Sequence, residues 1–247
     1  MLRALSIFIS LVLAAVAPAA ALEEANALYA AGDFPKAAAA YEALIQSDGT
    51  TAARLSNLGN ARFRLQQYGQ AILAWERAAL LAPRDPDIRR NLKLARDAAK
   101  SQEPAPARRW WEEPLHWCSL REWSWLAAAG AVLAGAAALA WGILGMRRAW
   151  LKQTILAALV TGLVLGPLGG FAAWHRHGET ALGIIVADKP ALRLSPFVAA
   201  DSAGPVFPGR TVELGRRVPG WVHVTVRGST QSGWLAENEV AALLPGA

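Results

Sequence analysis

Gly32-Asp33-Phe34-Pro35-Lys36-Ala37, leading to Tyr41, returns as Gln66-Gln67-Tyr68-Gly69-Gln70-Ala71, leading to Trp75. Phe34 and Tyr68, Ala37 and Ala71, and Tyr41 and Trp75 are each 34 positions apart. A fixed period of this length marks stacked helical hairpins, in which each unit buries its apolar face against the next. The aromatic residues fill the gap between helix pairs. Small residues at Ala37, Ala71 and Gly59 let the helices approach closely. The pattern predicts helices across residues 22–100.

The second unit is the fuller one. Asn57-Leu58-Gly59-Asn60-Ala61 precedes its turn, and Ala78 and Pro83 come after it. These residues resemble the Leu-Gly, small-residue and terminal-proline positions of tetratricopeptide repeats. The first unit has Glu24-Ala25 where Leu-Gly is usual. Asp85-Pro86-Asp87 opens a further helix, from Ile88 to Lys100, with proline well placed at its start. It resembles a capping half-repeat. Two and a half repeats are barely enough for independent stability, so packing on a partner or on the chain itself is expected. The resemblance implies a concave face that receives extended peptides. Asn26 and Asn60 fall at matching positions there, with Arg64 one turn beyond Asn60, and such amides can bond a peptide backbone. Ordinary solvated helix faces are the alternative. Leu22 and Asp87 stand where carboxylate-binding repeats carry a basic clamp, so that clamp is absent.

Outward from the repeats, residues 101–109 are polar and proline-spaced, which favours an extended spacer. Residues 101–125 form a linker and tryptophan-rich segment. Residues 126–146 and 154–174 come next as two apolar stretches without a charged residue. Each matches the ~20 residues that cross a hydrocarbon core as a helix. Eight of the eleven tryptophans lie between Trp110 and Trp174, near the ends of these stretches. Indole rings prefer the headgroup level, so they support a membrane hairpin. The connector, residues 147–153, carries Arg147, Arg148 and Lys152 and no anion, which places it in the cytoplasm. Gly162, Gly166 and Gly170 on the second span are expected to face Ala127, Ala131 and Gly135 on the first. Pro167 is expected to kink the second helix.

The chain of 247 residues is 54% hydrophobic, too apolar for an ordinary soluble protein. The soluble parts are each small, which leaves no room for a large enzyme core. The net charge is +6, and several of the arginines flank apolar stretches, so topology accounts for it better than nucleic-acid binding. Residues 1–21, with Arg3 and then an apolar run to small residues, read as a secretory signal or an uncleaved anchor. Either version sends the repeat region across the membrane, so the domains on both sides of the hairpin are expected in the periplasm of a bacterial inner membrane.

From residue 178 to 247 the pattern turns to strands. Trp221-Val222-His223-Val224-Thr225-Val226 alternates, and Pro208-Gly209, Pro219-Gly220 and Arg227-Gly228-Ser229 give turns. Ala191-Leu192-Arg193-Leu194-Ser195-Pro196, Pro208-Gly209-Arg210-Thr211-Val212, Gly220-Trp221 and Gly233-Trp234 resemble, in order, the motifs of bacterial SH3 domains, with Trp221 and Trp234 as the two signature aromatics. The resemblance implies an all-β barrel. No nucleophile elbow, phosphate-binding loop, zinc-protease helix or dinucleotide glycine pattern occurs, so no enzyme, catalytic residue or cofactor is expected. The single cysteine, Cys118, excludes a disulfide within the chain. With His116 before the first span and His175 and His177 after the second, it offers a redox or metal reading; interfacial polar residues are the blander one, and no metal site is assigned.

The whole order of repeats, linker, hairpin and SH3-like domain resembles the BatE-type proteins of bacterial aerotolerance (Bat) operons. That resemblance implies a scaffold or adaptor in an envelope stress complex. It implies partners with von Willebrand A domains and a MoxR-type AAA ATPase. Peptidoglycan binding through the SH3-like domain stays open beside it. The expectation is thus a multi-domain membrane protein: an α-helical tetratricopeptide solenoid, a two-helix transmembrane hairpin and a C-terminal SH3-like barrel.

Overall fold

A computed structural model describes residues 20–102, 112–143, 149–177 and 182–244. The signal expected over residues 1–21 lies outside them except for its last two positions, and most of the 101–109 spacer lies outside them too. The described residues fall into two compact units. One joins the helices of the repeat region to the C-terminal strands. The other holds the two apolar helices together with Leu80–Arg84.

In the first unit, α1 (20–30), α2 (Phe34–Asp48), α3 (Ala52–Arg64), α4 (Tyr68–Leu81) and α5 (Pro86–Ala98) succeed one another through short turns. Asp33, Thr51 and Asp85 cap α2, α3 and α5, each accepting a backbone N–H of the first turn on its side chain. The 34-residue period runs through the backbone itself. Gly32, Gln66 and Lys100 take φ values of 81°, 61° and 54° after α1, α3 and α5. Their N–H groups donate to the carbonyls of Tyr29, Phe63 and Asp97, and the next residues in the chain donate to Leu28, Arg62 and Arg96. This is one helix-ending motif used three times. Side-chain partners repeat as well. Tyr29 meets Phe34 as Phe63 meets Tyr68, and Glu42 pairs with Arg62 as Glu76 pairs with Arg96. Gly59 is needed where it stands, because a Cβ there would lie 2.8 Å from the buried Trp75 ring.

The strands β1 (Leu182–Ile185), β2 (Thr211–Val218), β3 (Trp221–Val226), β4 (Ser232–Ala236) and β5 (Val240–Ala242) form an antiparallel sheet in the order β4-β3-β2-β1-β5. Val222, Val224 and Val226 point into its core with Val212 and Leu235, as the alternation of β3 requires. The expected closed barrel is not formed. β4 and β5 are the two edges of an open sheet, and other parts of the chain cover them. Arg193 exchanges backbone hydrogen bonds with Trp234 at one edge. At the other, the Arg77 guanidinium of α4 donates to the carbonyls of Ala242 (2.8 Å) and Leu243 (3.0 Å). A three-residue β5 ending under a helix presents too short an edge for a partner strand to close the ring.

α4 is the element on which the sheet rests. A Cβ on Gly69 would lie 2.5 Å from the Ile185 carbonyl oxygen and 2.9 Å from Val186 Cα, so helix and strand meet backbone to backbone. Ile72, fully buried one turn later, packs on Gly209, whose φ of 80° and missing Cβ are both required. Arg210 adds a hydrogen bond to the Gln102 carbonyl (2.6 Å). The self-packing that so short a stack of repeats demands is therefore supplied by the sheet.

In the second unit, α6 (Leu120–Ile143) and α7 (Ala149–His177) are both long and apolar enough to cross a membrane. Residues 149–153, expected in the connector, form the start of α7, and residues 120–125 belong to α6. α7 is one helix through Pro167. The glycine face is shifted from the expected one. Gly162 packs on Gly130 and Ala134, Gly166 on Gly130 and Ala131, and Gly169 on Trp123 and Ala127, whereas Gly170 and Gly135 have nothing near their Cβ positions. A strict four-residue spacing drifts ~40° around the helix at each step, so the contact face runs through i, i+4, i+7 instead.

Candidate functional site: an asparagine-lined face

α1, α3 and α5 each present asparagines to one another. Asn57 Nδ2 donates to Asn26 Oδ1 (3.3 Å), and Asn91 Nδ2 donates to Asn60 Oδ1 (3.3 Å). Asn26 and Asn60 are one period apart, and so are Asn57 and Asn91. The Tyr41 hydroxyl donates to Asn26 Oδ1 at 2.8 Å. Burial, and then the nearby Tyr29, push the Tyr41 pKa up, which keeps it a neutral donor. Asn26, Tyr29, Tyr41, Asn57 and Asn60 line a hollow of about 110 Å³.

The amide bonds leave an ordered remainder. Among the described residues, Asn26 and Asn60 keep their Nδ2 donors uncommitted, while Asn57 and Asn91 keep their Oδ1 acceptors. Amide donors and acceptors of this kind can bond the C=O and N–H groups of an extended polypeptide.

Asn26 and Asn60, expected from the sequence, thus come together. Arg64 does not line the hollow; it is exposed, with its guanidinium carbon 5.1 Å from the centre of the Phe34 ring. Asn57 and Asn91 were missed as site residues, and their equal spacing was the signal that could have found them. Ala37, Ala71, Tyr41 and Trp75 are buried core, and Pro83 lies in the turn after α4.

On the sheet, Trp221, His223 and Trp234 share the half-buried face away from the valine core. The His223 and Trp234 rings stand edge to face at 5.2 Å, and the Arg193 guanidinium lies 5.9 Å from the Trp221 ring. In the second unit, Cys118 packs against the buried Leu115, Trp123 and Ala172, and the His175 ring is 6.0 Å from Phe171. Among the described residues, no three His, Cys, Asp or Glu are grouped as a metal site; the His177 side chain falls outside that description. No family model matches this chain, and no curated protein matches its sequence.

Proposed function

We propose that this chain is a membrane-anchored, periplasmic scaffold whose tetratricopeptide-type face binds an extended segment of a partner protein. The observation that carries this reading is the asparagine pair that occurs twice, with its uncommitted donors and acceptors at the 34-residue period. The three identical helix endings support the tetratricopeptide assignment, and the order of motifs around Trp221 and Trp234 supports an SH3-like module built as an open sheet. The two apolar helices supply the anchor. The resemblance to BatE-type proteins suggests where the partner is found: a von Willebrand A-domain membrane protein working with a MoxR-type ATPase.

The test is a photo-crosslinker in place of Leu94, one period after Asn60 and exposed on α5, in the full chain in its membrane. A discrete protein adduct that disappears with Asn26→Ala plus Asn60→Ala supports the reading. An adduct insensitive to those changes, or none, refutes it.

The aromatic face of the sheet favours a second reading, peptidoglycan binding, since Trp221 and Trp234 offer stacking surface. Detergent-solubilised full chain should then pellet with purified wall and fail to do so after Trp221→Ala.

A further inference from the structure

Arg77 holds the β5 edge with only part of its guanidinium. Nε donates to the Leu243 carbonyl at 3.0 Å and Nη2 to the Ala242 carbonyl at 2.8 Å. The other N–H groups remain uncommitted, and they include the end-on fork of Nη1 and Nη2 that matches a carboxylate. Among the described residues Arg77 has no carboxylate partner. Burial alone pulls its pKa below the ordinary arginine value, the mark of a cation that has lost water without gaining an anion. The group stays protonated all the same, because an arginine does not give up its proton in a protein.

Arg77 lines a hollow of about 200 Å³ between the helices and the sheet. α4 presents Gln70, Leu73 and Arg77 to it, at the i, i+3, i+7 spacing of one helix face. Gln70 makes no side-chain hydrogen bond among the described residues, so its amide is uncommitted as well. Leu55 and Leu58 of α3, both buried, and Val186, just past β1, add an apolar wall. The other charges on the hollow are Arg62 and Glu42, which pair with each other at 2.5 Å. Two cations against one carboxylate leave a single positive charge unmatched, and it is that of Arg77. A half-buried charge on an apolar wall favours an occupant that carries one negative charge and an apolar body. A neutral molecule leaves the guanidinium unanswered, and a dianion brings a charge that nothing there neutralises.

We propose that this hollow binds a monocarboxylate with a short aliphatic chain, the carboxylate on Arg77 and Gln70 and the chain against Leu55, Leu58 and Leu73. A cavity of about 150 Å³ takes benzene, so one of about 200 Å³ takes roughly eight non-hydrogen atoms, the size of hexanoate. A free short-chain acid and the C-terminal leucine of a polypeptide offer the same chemistry. The site shares no residue with the asparagine-lined hollow.

The experiment is equilibrium dialysis of radiolabelled hexanoate against the full chain in detergent, with protein-free micelles as the blank. Saturable uptake above the blank is expected, and hexanamide should not displace it. Gln70→Leu leaves the Arg77 bonds to β5 in place and should weaken binding about tenfold, the worth of a hydrogen bond to a charged group. Arg77→Gln should abolish uptake; because it also loosens β5, Gln70→Leu decides if that variant fails to fold. An acetylated tripeptide ending in leucine, with a free carboxylate or as its amide, tells the two sources apart. Displacement by the carboxylate form alone supports the site and identifies a polypeptide C-terminus. Displacement by free short-chain acids but by neither peptide supports it and identifies a small molecule. Uptake no greater than the blank overturns the proposal, as does equal displacement by hexanamide or unchanged uptake by Gln70→Leu.

Discussion

Replacing Gly69 with alanine separates the helical layer from the sheet. The new Cβ would stand 2.5 Å from the Ile185 carbonyl oxygen and about 3 Å from Val186 backbone atoms. An ordinary carbon–oxygen contact is about 3.3 Å, so α4 must withdraw from β1 by ~0.8 Å. Neither side can yield by rotating a side chain, because both atoms belong to backbone. A gap of that size forfeits a quarter to a half of the dispersion energy at neighbouring contacts, Ile72 on Gly209 among them. It also stretches the two Arg77 bonds to Ala242 and Leu243. Overpacking of this kind costs ~3 kcal/mol, and the better helix propensity of alanine returns ~1 kcal/mol. The expected net loss is ~2 kcal/mol. The assay is amide hydrogen exchange on the full chain in detergent, read out by mass spectrometry. Peptides from α4, β1 and β5 should exchange about 30-fold faster together, while those from α6 and α7 stay unchanged. A neutral or stabilised Gly69→Ala protein would refute the backbone-to-backbone contact. Faster exchange in β1 alone would refute the single cooperative unit.

Three further changes probe the rest of the frame. Gly59→Ala drives a Cβ into the Trp75 ring, which is buried and cannot swing away, so the denaturation midpoint should fall by the equivalent of ~2 kcal/mol. Gln66→Gly relieves a non-glycine residue held at φ 61° and should raise stability by ~1 kcal/mol in the same titration; a decrease would mean that the turn does not hold that conformation. Between the two apolar helices, Gly169→Leu should abolish disulfide crosslinking between cysteines placed on α6 and α7, and Gly170→Leu should leave it intact, because only the first meets the opposite backbone.

The asparagine site was half legible in the sequence. Asn26 and Asn60 could be named because they occupy one repeat position on two first helices. Asn57 and Asn91 carry the same 34-residue spacing, but that they turn toward Asn26 and Asn60 depends on the angle at which the hairpins stack. Arg64 shares the exposed side of α3 with Asn60, yet its long side chain lies over Phe34 instead. A similar limit shifted the contact between α6 and α7 from Gly170 to Gly169. A spacing of four identifies a helix face only over one or two turns.

By itself, the sequence determined what repeats and which runs are long and apolar. The 34-residue period, the glycine and proline punctuation, the alternation in β3 and the length of the two apolar runs are local, and local periodicity fixes secondary structure and burial. The tertiary structure alone decided which surfaces meet. The contact of Gly69 with Ile185 and the hold of Arg77 on Ala242 join residues more than a hundred positions apart. No periodic signal spans that distance, because such contacts arise from the shapes that two folded layers present to each other. They join the repeats and the open sheet into one unit.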